Sequence, residues 1–123
     1  MNKIMVVDDT LDTIELMRII LSTHGFEPIT FTSPNKAFEY LKNNDLPDLL
    51  ILDMRMPEMN GTEFCDELRK NKKFDHLKIA FFTASNDLDH ALLTKHHVLG
   101  FVFKPFDIKS LVKQINDYVA MGA

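Results

Sequence analysis

The chain alternates five times between a short apolar run and a longer amphipathic segment. Continuous apolar runs of this length are typical of strands that are buried on both faces. The segments between them carry apolar residues three and four positions apart, as in a helix that covers a sheet. The runs lie at 4–7, 28–31, 48–52, 79–82 and 101–103. This pattern predicts a single α/β domain over residues 1–123, with a parallel sheet between two layers of helices.

Local signals indicate where the helices begin and end. Pro34 suits the first position of a helix, Gly25 suits the residue after one, and Pro28 favours an edge position for the second strand. The expected N-cap residues are Asp9 or Thr10, Ser33, Thr62 and Asp107. The expected apolar positions of four helices are Leu11, Ile14, Met17 and Leu21; Ala37, Phe38, Tyr40 and Leu41; Phe64, Cys65 and Leu68; and Ile108, Leu111, Val112, Ile115 and Val119. A further helix is expected across Leu88, Ala91, Leu92 and Lys95.

Composition and charge argue against several classes of protein. A net charge of −4 without a Lys/Arg run is unlike that of a non-specific nucleic-acid binder. No apolar stretch approaches the ~18 residues of a membrane span, and Asp8-Asp9 interrupts the N-terminal apolar run before it could serve as a signal peptide. We therefore expect a cytoplasmic protein that binds neither nucleic acid nor membrane.

Three further groups of residues are expected to have structural roles. Cys65 cannot form an internal disulfide alone and should be a small buried side chain. The five histidines are expected on the surface. Met54, Met56 and Met59 should pack within a loop rather than form a patch for a partner.

Polar residues follow four of the predicted strands. They are Asp8, Asp9, Asp53, Thr83 and Lys104. In open parallel sheets, ligands bind at the carboxyl ends of the strands, so these side chains should meet in one cleft. Three carboxylates repel one another unless cations offset them, and one divalent cation plus Lys104 would balance their charge. The oxygen donors favour Mg²⁺. A carboxylate is also a competent nucleophile toward phosphorus, and Asp53, after the most apolar strand, is the best candidate.

These residues and their neighbours resemble the receiver (CheY-like) domain of two-component response regulators. The resemblance spans roughly residues 3–119 and rests on Asp8-Asp9, Asp53, Met56-Pro57, Gly61, Thr83-Ala84 and Lys104-Pro105. It implies a (βα)5 flavodoxin-like, doubly wound sheet in the order 2-1-3-4-5. It also implies a signalling switch that is not an enzyme beyond catalysing its own phosphorylation and slow dephosphorylation.

The resemblance implies a role for each residue of the metal site. Asp9 and Asp53 would ligate Mg²⁺ directly, with Mn²⁺ as a substitute. Asp8 would act partly through water, and the backbone carbonyl of Arg55 would complete the protein ligands.

The resemblance also implies how a phosphoryl group is accepted and detected. A histidine kinase or a histidine phosphotransfer protein would phosphorylate Asp53, and Thr83 and Lys104 would contact the phosphoryl oxygens. Phe101 stands at the aromatic switch position, where Tyr is more usual, so a switch here would work by ring packing alone. The Lys104-Pro105 bond would be cis. A downstream protein, an output domain or a second copy of the phosphorylated chain would bind the face formed by the fourth helix, fifth strand and fifth helix.

Two other functions compete with this interpretation. A magnesium-dependent phosphatase with an aspartate nucleophile typically carries a second Asp two residues later, where this chain has Arg55. A flavodoxin-like FMN carrier would need a phosphate-binding loop after the first strand, and Asp8-Asp9-Thr10 would repel phosphate there.

Overall fold

Five parallel strands alternate with five helices in the computed structural model, which describes residues 1–84 and 90–121. The strands are β1 (Lys3–Val7), β2 (Glu27–Phe31), β3 (Leu49–Asp53), β4 (Ile79–Thr83) and β5 (Gly100–Phe103). The helices are α1 (Leu11–Thr23), α2 (Pro34–Asn43), α3 (Gly61–Arg69), α4 (Ala91–His96) and α5 (Ile108–Ala120), and a 3₁₀ turn covers Lys72–Phe74. All strand pairs are parallel, in the order β2-β1-β3-β4-β5. The predicted fold is confirmed, with β2 at an edge.

The central strand β3 explains why the sheet needs helices on both faces. All five of its residues are buried, and successive side chains point to opposite faces. Leu50 and Leu52 join an apolar cluster with residues of α2, α3 and α4. Leu49 and Ile51 join a second cluster with residues of α1 and α5. The two clusters are the two cores of the domain, one on each side of the sheet.

The predicted apolar positions of α1, α2, α3 and α5 largely face the sheet, with two corrections at the starts of helices, whereas on α4 both Ala91 and Lys95 are exposed. Leu11 is 61% exposed and Ile108 is 46% exposed, whereas both were expected to face the sheet. Each is the first residue of its helix. Side chains in a helix point toward its amino end, so that of the first residue extends past the covered turns. On α1, Ile20 is buried instead.

Three of the four predicted N-cap positions are confirmed and one is wrong. Ser33 accepts a hydrogen bond from the Lys36 amide, and Asp107 accepts one from the Ser110 amide. The cap of α3 is Asn60 rather than Thr62.

Asn60 and Glu63 form a reciprocal capping box, in which each side chain accepts from the other residue's backbone N–H. Thr62 lies inside the helix, and its hydroxyl donates to the Asn60 side chain. The Asn-x-x-Glu spacing was therefore a better signal than the threonine.

At α1, Thr10 occupies the N-cap position without a side-chain hydrogen bond to the helix. Gly25 follows the C-cap residue His24 with φ +85°. This left-handed conformation is one that glycine adopts at little cost.

The fourth predicted helix is described only in part. Leu88 lies outside the described residues, and the described helix runs from Ala91 to His96. It ends at His97, whose φ is 56°. No helix in the described ranges is long and apolar enough to cross a membrane.

Candidate functional site

The carboxyl ends of the strands bring the predicted polar residues together. Asp53 is the last residue of β3 and Thr83 the last of β4, and both are buried. Asp8 and Asp9 follow β1, and Lys104 follows β5. A cavity of about 350 Å³ opens here, lined by Asp9, Thr10, Asp53, Arg55, Thr83, Ala84 and Lys104. Asp8 is fully buried beside it.

The three carboxylates form a cluster. Asp8, Asp9 and Asp53 each place one oxygen within 4.8 Å of the others. The pKa of Asp53 is raised from 3.8 to about 6, chiefly by burial and by the neighbouring Asp8 charge, with a smaller contribution from a side-chain hydrogen bond with Asp9. A backbone hydrogen bond from Arg55 and the charge of Lys104 act in the opposite direction. Asp53 is therefore largely ionised above pH 7, but its burial and the Asp8 charge make ionisation unfavourable.

Lys104 offsets part of this charge. Its Nζ donates to Asp8 Oδ2 at 2.6 Å and lies 3.7 Å from Asp53 Oδ2. It also lies 4.6 Å from the centre of the Phe82 ring. The Lys104–Pro105 peptide bond is cis, as the resemblance implied. The ammonium group thus links the ends of β1, β3 and β5.

Backbone amides orient two of the carboxylates. The Thr10 N–H donates to Asp8 Oδ1 at 2.8 Å, and the Arg55 N–H donates to Asp53 Oδ1 at 3.2 Å. Both oxygens of Asp8 are therefore engaged, one by Thr10 and one by Lys104. Asp9 is exposed and lines the cavity.

The loop after β3 folds closely over the end of that strand because residue 61 is glycine. A Cβ on Gly61 would lie 2.8 Å from the Asp53 carbonyl oxygen and 3.0 Å from the Met54 Cα. The Gly61 N–H donates to the Met54 carbonyl oxygen at 3.0 Å. Any larger residue would push the start of α3 away from Asp53.

The donor set fits a hard divalent cation. All three clustered groups are carboxylates, and their oxygens are close enough to share one ion. Mg²⁺ is usually bound through one or two carboxylates together with retained waters. The backbone of Arg55 lies near the cluster, because its N–H donates to Asp53.

Phe101 lies apart from the residues that line the cavity. Its ring is buried and stacks on Phe81 with the centroids 6.0 Å apart. His90 contacts it edge-on at 5.6 Å, and Phe103 lies at 6.1 Å. The ring therefore already has an inward, packed position in this structure.

The expected structural roles were confirmed for Cys65 and the loop methionines but wrong for one histidine. Burial raises the pKa of the Cys65 thiol to about 12, so it is not a nucleophile. Met56 is buried, and Met54 and Met59 pack against the same core. His96 is also buried, whereas every histidine was expected on the surface.

The sequence reasoning also missed Thr10 as a site residue. Thr10 lines the cavity, and its amide fixes Asp8. An Asp that accepts from the amide two residues later is a common turn, so the Asp8-x-Thr10 order was the available signal.

Comparison with known proteins agrees with this geometry. SaeR, a response regulator of Staphylococcus aureus, is 31% identical over 121 residues, which is 95% of this chain and 50% of SaeR. Protein RcaC of Microchaete diplosiphon is 33% identical over 86 residues, which is 70% of this chain and 13% of RcaC. The chain therefore spans half or less of the length of these relatives.

Solved structures show the same fold. The chemotaxis response regulator CheY4 of Vibrio cholerae superposes with a TM-score of 0.88 at 24% identity, covering 96% of this chain and 98% of CheY4. The response regulator TrrA of Thermotoga maritima, in complex with Mg²⁺ and BeF, superposes with a TM-score of 0.82 at 30% identity, covering 96% and 99%. Residues 4–116 match the family described as the response regulator receiver domain. The chain belongs to that family and is the receiver domain of a two-component response regulator.

Proposed function

We propose that this receiver domain is a phosphorylation-activated switch whose acceptor is Asp53. The observation that carries the proposal is the position of the Asp53 carboxylate. It ends the buried strand β3, lines a cavity with Thr83 and Lys104, and belongs to the carboxylate cluster with Asp8 and Asp9. The phosphoryl donor would be a sensor histidine kinase or a histidine phosphotransfer protein.

We further propose that this cluster holds Mg²⁺, for which Mn²⁺ could substitute. Asp9 and Asp53 would be direct ligands, and the Arg55 backbone carbonyl would be a third. Asp8 would act indirectly, since both of its oxygens are already engaged by Thr10 and Lys104. The metal would supply positive charge against the phosphoryl oxygens. Support comes from the donor set and from TrrA, a relative whose structure is a complex with Mg²⁺ and BeF.

Few side chains would take part in the phosphoryl transfer. An Asp53 oxygen would form a bond to phosphorus while the P–N bond of the donor phosphohistidine breaks, and the leaving imidazole would take up a proton. Asp53 must be ionised to attack, and its pKa of about 6 leaves it largely ionised above pH 7. The Lys104 ammonium and the Thr83 hydroxyl would then contact phosphoryl oxygens.

Phosphorylation would be transmitted to the surface formed by α4, β5 and α5. Thr83 would move toward the phosphoryl group, and Phe101 would respond through ring packing, because it has no hydroxyl. A downstream protein, an output domain or a second copy of the chain would recognise the changed surface. Such a switch shifts a pre-existing equilibrium between two conformations.

Intact-mass spectrometry tests the acceptor assignment. The protein is incubated with acetyl phosphate and Mg²⁺, and we expect one added phosphoryl group that is labile at alkaline pH. Asp53→Asn should abolish the addition, whereas Asp45→Asn, which changes an exposed aspartate, should leave it intact. Stable phosphorylation of the Asp53→Asn protein on a hydroxyl residue would overturn the assignment.

The same reaction separates a switch from a magnesium-dependent phosphatase. A switch should hold the phosphoryl group and release phosphate slowly. Many rapid turnovers with a range of phosphate monoesters would favour the phosphatase instead.

A further inference from the structure

Phe82 is a buried aromatic residue next to the proposed acceptor in the sheet. It precedes Thr83 on β4, and the strand register pairs it with Asp53 on β3 and with Val102 on β5. Its carbonyl oxygen accepts a hydrogen bond from the Met54 N–H at 3.2 Å. Its side chain is fully buried and belongs to the core on the α1 and α5 side of the sheet. The sheet therefore fixes where this ring lies relative to the strand ends.

The ammonium group of Lys104 lies over the face of the Phe82 ring. The distance from Nζ to the ring centre is 4.6 Å, and a ring face attracts a cation within roughly 6 Å. The Lys104 side chain is 22% exposed, and this attraction becomes stronger as the cation loses water. A lysine that only covered an apolar surface would place its methylene groups there and its ammonium group in water. The position of Nζ therefore indicates a cation–π interaction.

The ring attracts Lys104 without occupying its hydrogen-bond donors. An ammonium group has three N–H donors. Among the described residues, its hydrogen-bond partner is Asp8, whose Oδ2 accepts at 2.6 Å. Asp53 Oδ2 lies 3.7 Å away, which is close enough for charge attraction but long for a hydrogen bond. Phe82 can therefore hold the ammonium group in place while donors remain for an oxyanion.

The segment after β5 also packs against Phe82. The ring centres of Phe82 and Phe106 are 5.8 Å apart with an angle of 36° between the ring planes, within the range of favourable aromatic pairs. The Lys104 N–H donates to the Thr83 carbonyl oxygen at 2.7 Å. Lys104 is thus attached to the end of β4 through its backbone and through its ammonium group.

We propose that Phe82 is a positioning residue for phosphoryl transfer to Asp53 and that it acts through Lys104. The ring keeps the ammonium group beside Asp8 and Asp53, where it can donate to a phosphoryl oxygen as that oxygen arrives. Lysine has a long and flexible side chain, so without the ring the ammonium group would be in place for a smaller fraction of the time. This role rests on the proposed function of Asp53, whereas the contact between Phe82 and Lys104 does not.

Fluorination of the Phe82 ring tests the role. Fluorine withdraws electron density from the ring face and changes the ring's size little, so it weakens a cation–π contact while the core keeps an aromatic ring. With 3,4,5-trifluorophenylalanine at position 82, phosphorylation by acetyl phosphate at saturating Mg²⁺ should be about threefold slower. Phe82→Leu, which removes the ring, should slow the reaction about fivefold.

Phe26 provides the matched control. It is a buried ring of the same core, between α1 and β2, whereas the cavity lies at the other end of α1. Trifluorophenylalanine at position 26 should leave the phosphorylation rate unchanged. A wild-type rate with the fluorinated ring at position 82, or equal slowing from fluorination at either position, would overturn the positioning role.

Nuclear magnetic resonance of the metal-free, unphosphorylated protein tests the contact by itself. Protons over the face of an aromatic ring are shielded, so the Lys104 Hε resonances should lie upfield of those of an exposed lysine such as Lys113. In Phe82→Leu they should move to the position of the Lys113 resonances. Lys104 resonances that already coincide with those of Lys113 in the wild type would overturn the contact and the role.

The two measurements separate a failure of this inference from a failure of the proposed function. If phosphorylation requires Asp53 but its rate does not respond to fluorination of Phe82, the positioning role fails and the proposed function stands. If Asp53→Asn does not abolish phosphorylation, the proposed function fails and the positioning role fails with it, while the Lys104 resonances still decide whether the contact exists.

Discussion

At the scale of single residues, Asp53 is held in an environment that opposes its charge. It is buried beside the carboxylates of Asp8 and Asp9, and its pKa rises from 3.8 to about 6. The Lys104 charge and the Arg55 amide lower the pKa of Asp53, but they do not fully offset the effects of burial and of the Asp8 charge. This arrangement suits the proposed acceptor role, because the carboxylate charge that destabilises the metal-free protein would attract a cation and would make Asp53 a nucleophile toward phosphorus.

Because ionised Asp53 is unfavourable in the folded state, we predict that Asp53→Asn stabilises the metal-free protein in a pH-dependent way. Because the folded pKa is raised, the folded wild type binds a proton more tightly than the unfolded chain. Its stability therefore falls as pH rises from about 4 to about 6, by at most about 3 kcal/mol at roughly 1.4 kcal/mol per pKa unit. Asparagine carries no charge, so the variant avoids this loss. Urea unfolding in a chelator should show the largest gain near pH 7.5 and little near pH 4.

Asp45→Asn provides the control for that prediction, because the residue is exposed and lies outside the carboxylate cluster. Its effect should be small at every pH. A gain from Asp53→Asn that stays constant between pH 4 and pH 8 would show that charge repulsion is not its cause.

The contact between Lys104 and Asp8 gives a second prediction at this scale. Lys104→Met leaves the fully buried Asp8 carboxylate without its 2.6 Å partner, which should cost about 3 kcal/mol of unfolding free energy in a chelator. Adding Asp8→Asn removes the unpaired charge, so the double variant should be more stable than Lys104→Met alone. A double variant that is less stable than either single variant would contradict this account.

At the scale of elements, the apolar pattern predicted every strand to within one residue at each end. The runs are short and continuous, and β3 and β4 are buried throughout. Helix ends were harder to predict. A threonine and an asparagine can both cap a helix, and the choice depended on which backbone amide lies within reach. Leu11 satisfied the helical spacing but lies where its helix begins, so spacing alone could not show its exposure.

The corrected cap of α3 yields an element-scale prediction. Asn60→Ala removes the side chain that accepts from the Glu63 amide at 2.9 Å, and we expect the free energy of unfolding to fall by about 1 kcal/mol. Thr62→Ala should lower the free energy of unfolding by less than half as much, because the Thr62 hydroxyl donates to the Asn60 side chain and not to a backbone group of the helix end. Thermal unfolding of the two variants in the same buffer compares them directly. A larger loss from Thr62→Ala would restore threonine as the cap.

At the scale of the whole molecule, the sheet topology determined which contacts could be predicted from the sequence. Parallel strands place their carboxyl ends along one edge, so the convergence of Asp8, Asp53 and Lys104 followed from the strand pattern. The contact between His96 and Asp66 joins helices whose residues lie 30 positions apart. Its geometry depends on how α4 packs on α3, and no periodic pattern encodes that packing. The buried histidine could therefore not have been predicted from spacing.

The last prediction concerns how a cation stabilises the whole fold. Three carboxylate oxygens lie within 4.8 Å of one another, and a cation bound between them in the folded state stabilises that state by mass action. At 100 times its dissociation constant, Mg²⁺ should add about 2.7 kcal/mol, which corresponds to a rise in Tm on the order of 10 °C for a domain of this size. Asp9→Ala removes an exposed carboxylate that lines the cavity, so its Tm should stay nearly flat as Mg²⁺ is added. Asp12→Ala, which removes the nearby Asp in the first turn of α1, should respond like the wild type. Differential scanning calorimetry with and without Mg²⁺ provides the measurement, and an equal rise in all three proteins would place the cation away from the strand ends.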